Sequence, residues 1–262
     1  MPLIEGPGGQ LHHVVTGTGH PTTLFVPGLA QSIADTRPFG SAVEGTRVFV
    51  DLRGHGGSQA PTTADGWTYE GLTADLRTVA DAVGATRALG VSLGAAALVR
   101  LLADEPARFE RAVLALPGPV AAERDAALLA VTDELADAVD ANDPIGIGAA
   151  LMRMQPEAAR GRSDVRLWAR RHAADLGGSA VSGALRHLPR QQVLPSLDAL
   201  SAVTASVLVL AQRDDAMHPV LAAEKLAAAI PQARLEISDI PWIWGGRSAL
   251  RETVSGFLNV PR

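Results

Sequence analysis

The chain has 262 residues, 47% apolar and 19% charged, which suits one large domain with a sizeable core and excludes global disorder. Cysteine is absent, so disulfide frameworks, thiolate nucleophiles and Cys-ligated metal sites are excluded. Acids outnumber bases by 28 to 23, Lys225 is the only lysine, and no block of like charge offers a footprint for nucleic acid or an anionic membrane.

The opening residues, Met1-Pro2-Leu3-Ile4-Glu5, lack the basic and long apolar regions of a signal peptide. The longest apolar stretches, such as Val91–Val99 and Ala205–Ala211, fall far short of the roughly 20 residues needed to span a bilayer. A soluble cytoplasmic protein with no membrane partner is the expectation. The early glycines, Gly6, Gly8, Gly9, Gly17 and Gly19, read as turns between strands. No helix opens after them as a dinucleotide site requires.

Short β-like runs then alternate with helical patterns, the signature of a parallel sheet with crossover helices. Strands are predicted at Thr22–Val26, Arg47–Asp51, Arg87–Val91, Ala112–Leu116, Ala205–Ala211 and Ala233–Ser238. Several are continuously apolar, as strands covered on both faces are. Leu72, Leu76, Val79 and Val83 form one apolar stripe on a helix after Tyr69, and Leu250, Val254, Phe257 and Leu258 form another on a last helix ending near Pro261. Pro106 closes the helix that begins after Ser92.

The alternation breaks between Val120 and Pro195, where only helical patterns appear. Leu128, Val131, Leu135, Ala138 and Val139 form one stripe, and Asn142-Asp143-Pro144 and Gly177-Gly178 supply breaks. The predicted organisation is an α/β core over residues 1–119 and 196–262, with a helical cap insertion over 120–195 above the C-terminal edge of the strands.

Gly90-Val91-Ser92-Leu93-Gly94 follows a predicted strand and opens a predicted helix. A G-x-S-x-G turn this tight needs small flanking residues, lifts the serine Oγ above the sheet, and aims backbone N–H groups at a developing oxyanion. A Gly-rich turn in which Ser92 only caps its helix is the blander alternative. With this motif the chain resembles the α/β-hydrolase fold family. Phe25-Val26-Pro27-Gly28-Leu29 is similar to the family's oxyanion loop, with Pro27 where His is usual. Asp51-Leu52-Arg53-Gly54-His55-Gly56-Gly57-Ser58 is similar to a second family stretch, in which His55 reads as structural. The resemblance implies a mostly parallel sheet flanked by helices, Ser92 as nucleophile, and the Leu29 and Leu93 N–H groups as oxyanion donors. It also places the triad acid four residues before Pro219, at Asp215 rather than Asp214.

The family's histidine is missing from its usual place. Its slot, before the final helix and near Pro241, reads Asp239-Ile240-Pro241-Trp242-Ile243-Trp244-Gly245-Gly246 and holds no base except the distant carboxylate of Asp239. A serine hydroxyl needs one. His218, three residues past Asp215, is the first substitute, and His172 and His187 in the cap are weaker ones. His12 and His13 lie in an early strand region away from the chemistry. Trp242 and Trp244 stand where the His loop should be and read either as an aromatic wall of a substrate pocket or as packing under the last helix.

No phosphate loop, H-E-x-x-H motif or metal-ligand spacing is present, and no cofactor is expected. The predicted function is carbonyl chemistry on a small apolar substrate: hydrolysis of an ester or lactone through Ser92 with an atypical or weakened triad. Non-hydrolytic lyase, isomerase or cyclase chemistry on the same fold is the alternative, and a silent ligand-binding relative a further one. Oligomeric state leaves no mark on the sequence.

Overall fold

A computed structural model describes residues 2–261; Met1, part of the opening stretch read for a leader, lies outside them. The chain begins with an antiparallel hairpin, β1 (Leu3–Gly6) and β2 (Gly9–Thr16), which joins the sheet through β2. Next come β3 (Thr22–Val26), a one-turn helix α1 (Ile33–Thr36), β4 (Thr46–Val50), α2 (Tyr69–Ala82), β5 (Arg87–Val91), α3 (Leu93–Asp104) and β6 (Arg111–Ala115). Helices α4 (Ala126–Asp140), α5 (Pro144–Arg153), α6 (Glu157–Arg160), α7 (Ser163–Leu176) and α8 (Val181–His187) follow without an intervening strand among the described residues. The alternation resumes with β7 (Ser206–Gln212), α9 (Val220–Ala229), β8 (Ala233–Ser238) and α10 (Arg247–Leu258). The sheet order is β1-β2-β4-β3-β5-β6-β7-β8, parallel from β4 to β8.

Two-residue periodicity divides the buried side chains between the faces of this sheet. Leu24, Val26, Val207 and Val209 join the core shared with α2, α3 and α9. Their neighbours Phe25, Leu208 and Leu210 join the core covered by α10 through Leu250, Val254 and Leu258. Because both faces are covered, the central strands are continuously apolar over residues 24–26, 88–91, 112–115 and 207–211.

Three strands are shifted by one residue from expectation, each at both ends, and two of these six boundaries have a visible cause. Asp51 leaves β4 because its carboxylate is held off the strand by the Ile33 N–H (2.8 Å), the Gly57 N–H (3.0 Å) and His12 Nδ1 (2.7 Å). Leu116 leaves β6 because its φ of 52° turns the backbone out of extended geometry. Nothing in the structure explains the other four, at the starts of β4 and β6 and at both ends of β7.

Parallel strands place all their C-terminal ends on one edge, and ligands of open α/β sheets bind outside that edge. The loops after β3, β5, β6 and β7 therefore meet there.

Candidate active site

Ser92 stands between β5 and α3 with φ 49° and ψ −107°, a conformation L residues rarely adopt. The flanking glycines make it possible. A Cβ at Gly90 would lie 2.5 Å from the Gly94 backbone, and one at Gly94 would lie 2.5 Å from the Val26 carbonyl. Both are backbone approaches that no side chain can relieve. Ser92 N–H donates to Ala115 O at 2.9 Å, which ties the turn to β6. Its hydroxyl makes no helix-capping bond and lies 2.8 Å from His218 Nε2 instead.

His218 reaches the serine because of the turn that follows β7. Asp214 stands at φ 57°, a left-handed position that Asp tolerates better than most residues. Asp215 Oδ1 accepts from the N–H groups of Met217 (3.0 Å) and His218 (3.2 Å), and Asp215 O accepts from the His218 N–H as well. This tight turn folds the imidazole back, leaving Nδ1 3.0 Å from Asp215 Oδ2. An ionised carboxylate only accepts, so Nδ1 carries the proton and Nε2 presents its lone pair to the Ser92 hydroxyl. Pro219 then begins α9.

Asp215 is buried, whereas Asp214 is exposed. Burial pushes the Asp215 carboxyl up, but the His218 imidazole and the Gln212 amide outweigh it and hold the group below the ordinary aspartate range. Gln212 Nε2 donates to Asp215 Oδ2 at 2.7 Å, and Gln212 Oε1 accepts from the Trp242 N–H at 3.0 Å. The residues near Pro241, where the resemblance places a histidine, thus brace the acid through Gln212.

A cavity of about 110 Å³ opens at Ser92. Leu29 and Leu93 line it, and neither backbone N–H has a hydrogen-bond partner among the described residues. Gln31 shapes the Leu29 loop, its Oε1 accepting from the Gly28 N–H at 2.9 Å. Trp244 also lines the cavity, its Nε1 donating to Gln155 Oε1 (2.8 Å) and its ring edge-on to Trp168 at 5.4 Å.

Trp242 corrects the expectation of a second aromatic wall. It does not line the cavity: its Nε1–H donates to Ala211 O at 2.7 Å, and the ring is buried in the cluster beneath α10. His172 and His187 lie outside the cavity too, His172 Nε2 standing 3.0 Å from Asp35 Oδ2. His12 holds Asp51, and the buried His55 donates from Nδ1 to Arg53 O at 2.9 Å. The sequence reading missed Gln212, Trp168 and Arg124. A polar residue ending the apolar run Val207–Ala211 was the one available signal for Gln212. Among the described residues no group of three or more His, Asp or Glu side chains is placed to hold a metal ion.

A family model of the alpha/beta hydrolase fold matches residues 21–240. Among solved structures, the enol-lactonase from Burkholderia xenovorans LB400 superposes with a TM-score of 0.83 at 21% identity, covering 99% of this chain and 100% of that one. A thermophilic esterase from Thermogutta terrifontis, solved with malate bound, gives 0.78 at 22% identity over 98% of each chain. Est816, an N-acyl homoserine lactone degrading enzyme, gives 0.73 at 24% identity over 98% of this chain and all of that one. At these identities the structures establish shared fold, and together with the match over residues 21–240 they lead to one conclusion: the chain belongs to the alpha/beta hydrolase fold family.

Proposed function

We propose that the protein is a serine hydrolase of small esters or lactones, with Ser92 as nucleophile, His218 as general base and Asp215 as its orienting acid. The observation that carries this reading is the hydrogen-bonded line from Ser92 Oγ to His218 Nε2 (2.8 Å) and from His218 Nδ1 to Asp215 Oδ2 (3.0 Å), at a cavity wall. The triad is atypical in origin only, because its base comes from the acid's own loop. The esterase and lactonase activities named for the similar structures favour the same reaction class.

Ser92 Oγ attacks the substrate carbonyl carbon while His218 Nε2 takes the hydroxyl proton. The carbonyl oxygen becomes an oxyanion and accepts from the free N–H groups of Leu29, in the loop after β3, and of Leu93, whose position at the start of α3 suits developing negative charge. Collapse breaks the bond to the leaving oxygen, which receives the proton from His218, and the acyl group stays on Ser92. Water then attacks that ester, His218 taking its proton, and a second collapse releases the acid and returns the proton to Ser92. Helices α4 to α8 act as a cap over this centre, supplying Leu128, Leu151, Met154 and Trp168 as apolar walls for the substrate.

Incubation with an activated aryl ester, followed by product release and intact mass, tests the assignment. Turnover by the parent protein that vanishes in Ser92→Ala is expected. Equal turnover by Ser92→Ala, or neither turnover nor an acyl adduct in the parent, contradicts it.

A further inference from the structure

The cavity holds one charge that the hydrolytic chemistry leaves unused. Of its ionisable lining groups, Asp215 and His218 are engaged with each other in the proposed triad, leaving Arg124 and Tyr69. Arg124 lies in the loop between β6 and α4, half-buried, and forms no ion pair among the described residues. Its chain neighbours do not pair with it: Glu123 and Asp125 are exposed, and Asp125 Oδ1 accepts from the Ala127 N–H at 2.7 Å to cap α4.

The guanidinium is nonetheless held in place. It stands beside the hydroxyl of the buried Tyr69, and it lies against Gly118, where an added Cβ would come within 2.5 Å of Arg124 Nη2. Burial raises the Tyr69 hydroxyl above its ordinary pKa, so a neutral phenol faces Arg124 and the positive charge is not cancelled. An arginine has five N–H donors in a planar fork that matches a carboxylate in two-point fashion, and Tyr69 occupies only part of that capacity. Fixed geometry, partial desolvation and missing counter-charge together describe an anion subsite inside an otherwise largely apolar cavity.

We propose that Arg124 binds a carboxylate carried by the substrate, so that the preferred substrates are short esters or lactones bearing a free carboxylate a few atoms from the scissile carbonyl. This rests on the hydrolase reading, and it replaces a wholly apolar substrate by one with an anionic end. The small cavity favours a carboxylate on a short chain over a long acyl tail.

Two matched probe pairs test it, each exchanging a carboxylate for an ethyl group: monoethyl succinate against ethyl pentanoate, and 3-acetoxypropanoate against butyl acetate. The ratio of kcat/KM for anionic over neutral ester should exceed ten in at least one pair. Arg124→Gln should lower that ratio by about 10- to 100-fold, the range of a hydrogen bond to a charged partner, and Arg124→Lys should keep part of it. No anion preference in either pair, or a preference that survives Arg124→Gln, overturns the proposal. Binding of succinamate against pentanamide, followed through the fluorescence of Trp168 and Trp244, separates the two layers. If no ester is turned over, the hydrolase reading fails. The anion subsite then stands if succinamate binds more tightly and loses that advantage in Arg124→Gln, and falls if it does not.

Discussion

Asp215 shows how one side chain can hold a hydrogen-bonded line together. It accepts from the Met217 and His218 N–H groups through Oδ1 and from the Gln212 amide and the His218 ring through Oδ2, so its lone pairs are filled and its direction is fixed. Asp215→Asn removes the carboxylate that keeps the proton on Nδ1, and a fall of about 10⁴-fold in kcat is expected, as for a triad left in the wrong tautomer. Gln212 acts one step further out, as a positioning residue. Gln212→Leu keeps the volume but deletes the bond to Asp215 and orphans the Trp242 N–H, so it should lower kcat several-fold and cost about 1–3 kcal/mol in urea unfolding. A normal kcat with lowered stability would make Gln212 purely structural.

The strand–turn–helix unit around Ser92 depends on close backbone approach. At Gly94 a methyl group would meet the Val26 and Pro27 carbonyl oxygens at 2.5 and 2.6 Å, so Gly94→Ala must push α3 away from the loop after β3. The expected cost is about 1–3 kcal/mol or more, read as a lower urea midpoint, together with loss of activity because Leu29 and Leu93 move apart. A second element-level contact joins α7 to α1. Asp35 closes a capping box with Ser32 and accepts from Trp168 Nε1 (3.1 Å) while standing 3.0 Å from His172 Nε2. Burial pushes its carboxyl up, yet the hydrogen bond and charge of His172, with the Ser32 and Trp168 donors, hold it below the ordinary aspartate value. A carboxyl depressed by folding stabilises the protein above its unfolded pKa and loses that contribution as pH falls through its folded pKa. The stability gap between the parent and Asp35→Asn should therefore be widest near neutrality and shrink in acid. A gap constant with pH would exclude the ionised contact.

For the molecule as a whole, the sheet was legible because its central strands are buried on both faces, and such strands are apolar over most of their length. Thr22–Val26 and Arg87–Val91 could be bounded from sequence for that reason, whereas Ala233–Ser238, a half-buried edge strand, shows instead the alternation of Ala233, Leu235 and Ile237 with Arg234, Glu236 and Ser238. Ser92 and Asp215 were legible as candidates because each occupies a constrained turn with a recognisable residue pattern. His218 was harder, since its approach to Ser92 across 126 positions depends on the left-handed Asp214 and the hydrogen-bonded turn after it. Trp242 and Trp244 show the limit most clearly. They are two residues apart and chemically identical, yet the Ala211 carbonyl draws one under the sheet while Gln155 holds the other at the cavity. Arg124 left no sequence signal because its significance lies in having no ion-pair partner among the described residues, which only folding reveals.

The central claim is that a histidine from the acid's own loop serves as the base, and His218→Ala tests it most directly. Steady-state kcat/KM for an activated aryl ester, measured for parent and variant with folding checked by circular dichroism, should fall by about 10³-fold or more. A folded His218→Ala protein within tenfold of the parent would contradict the assignment and return the search for the base to the rest of the cavity.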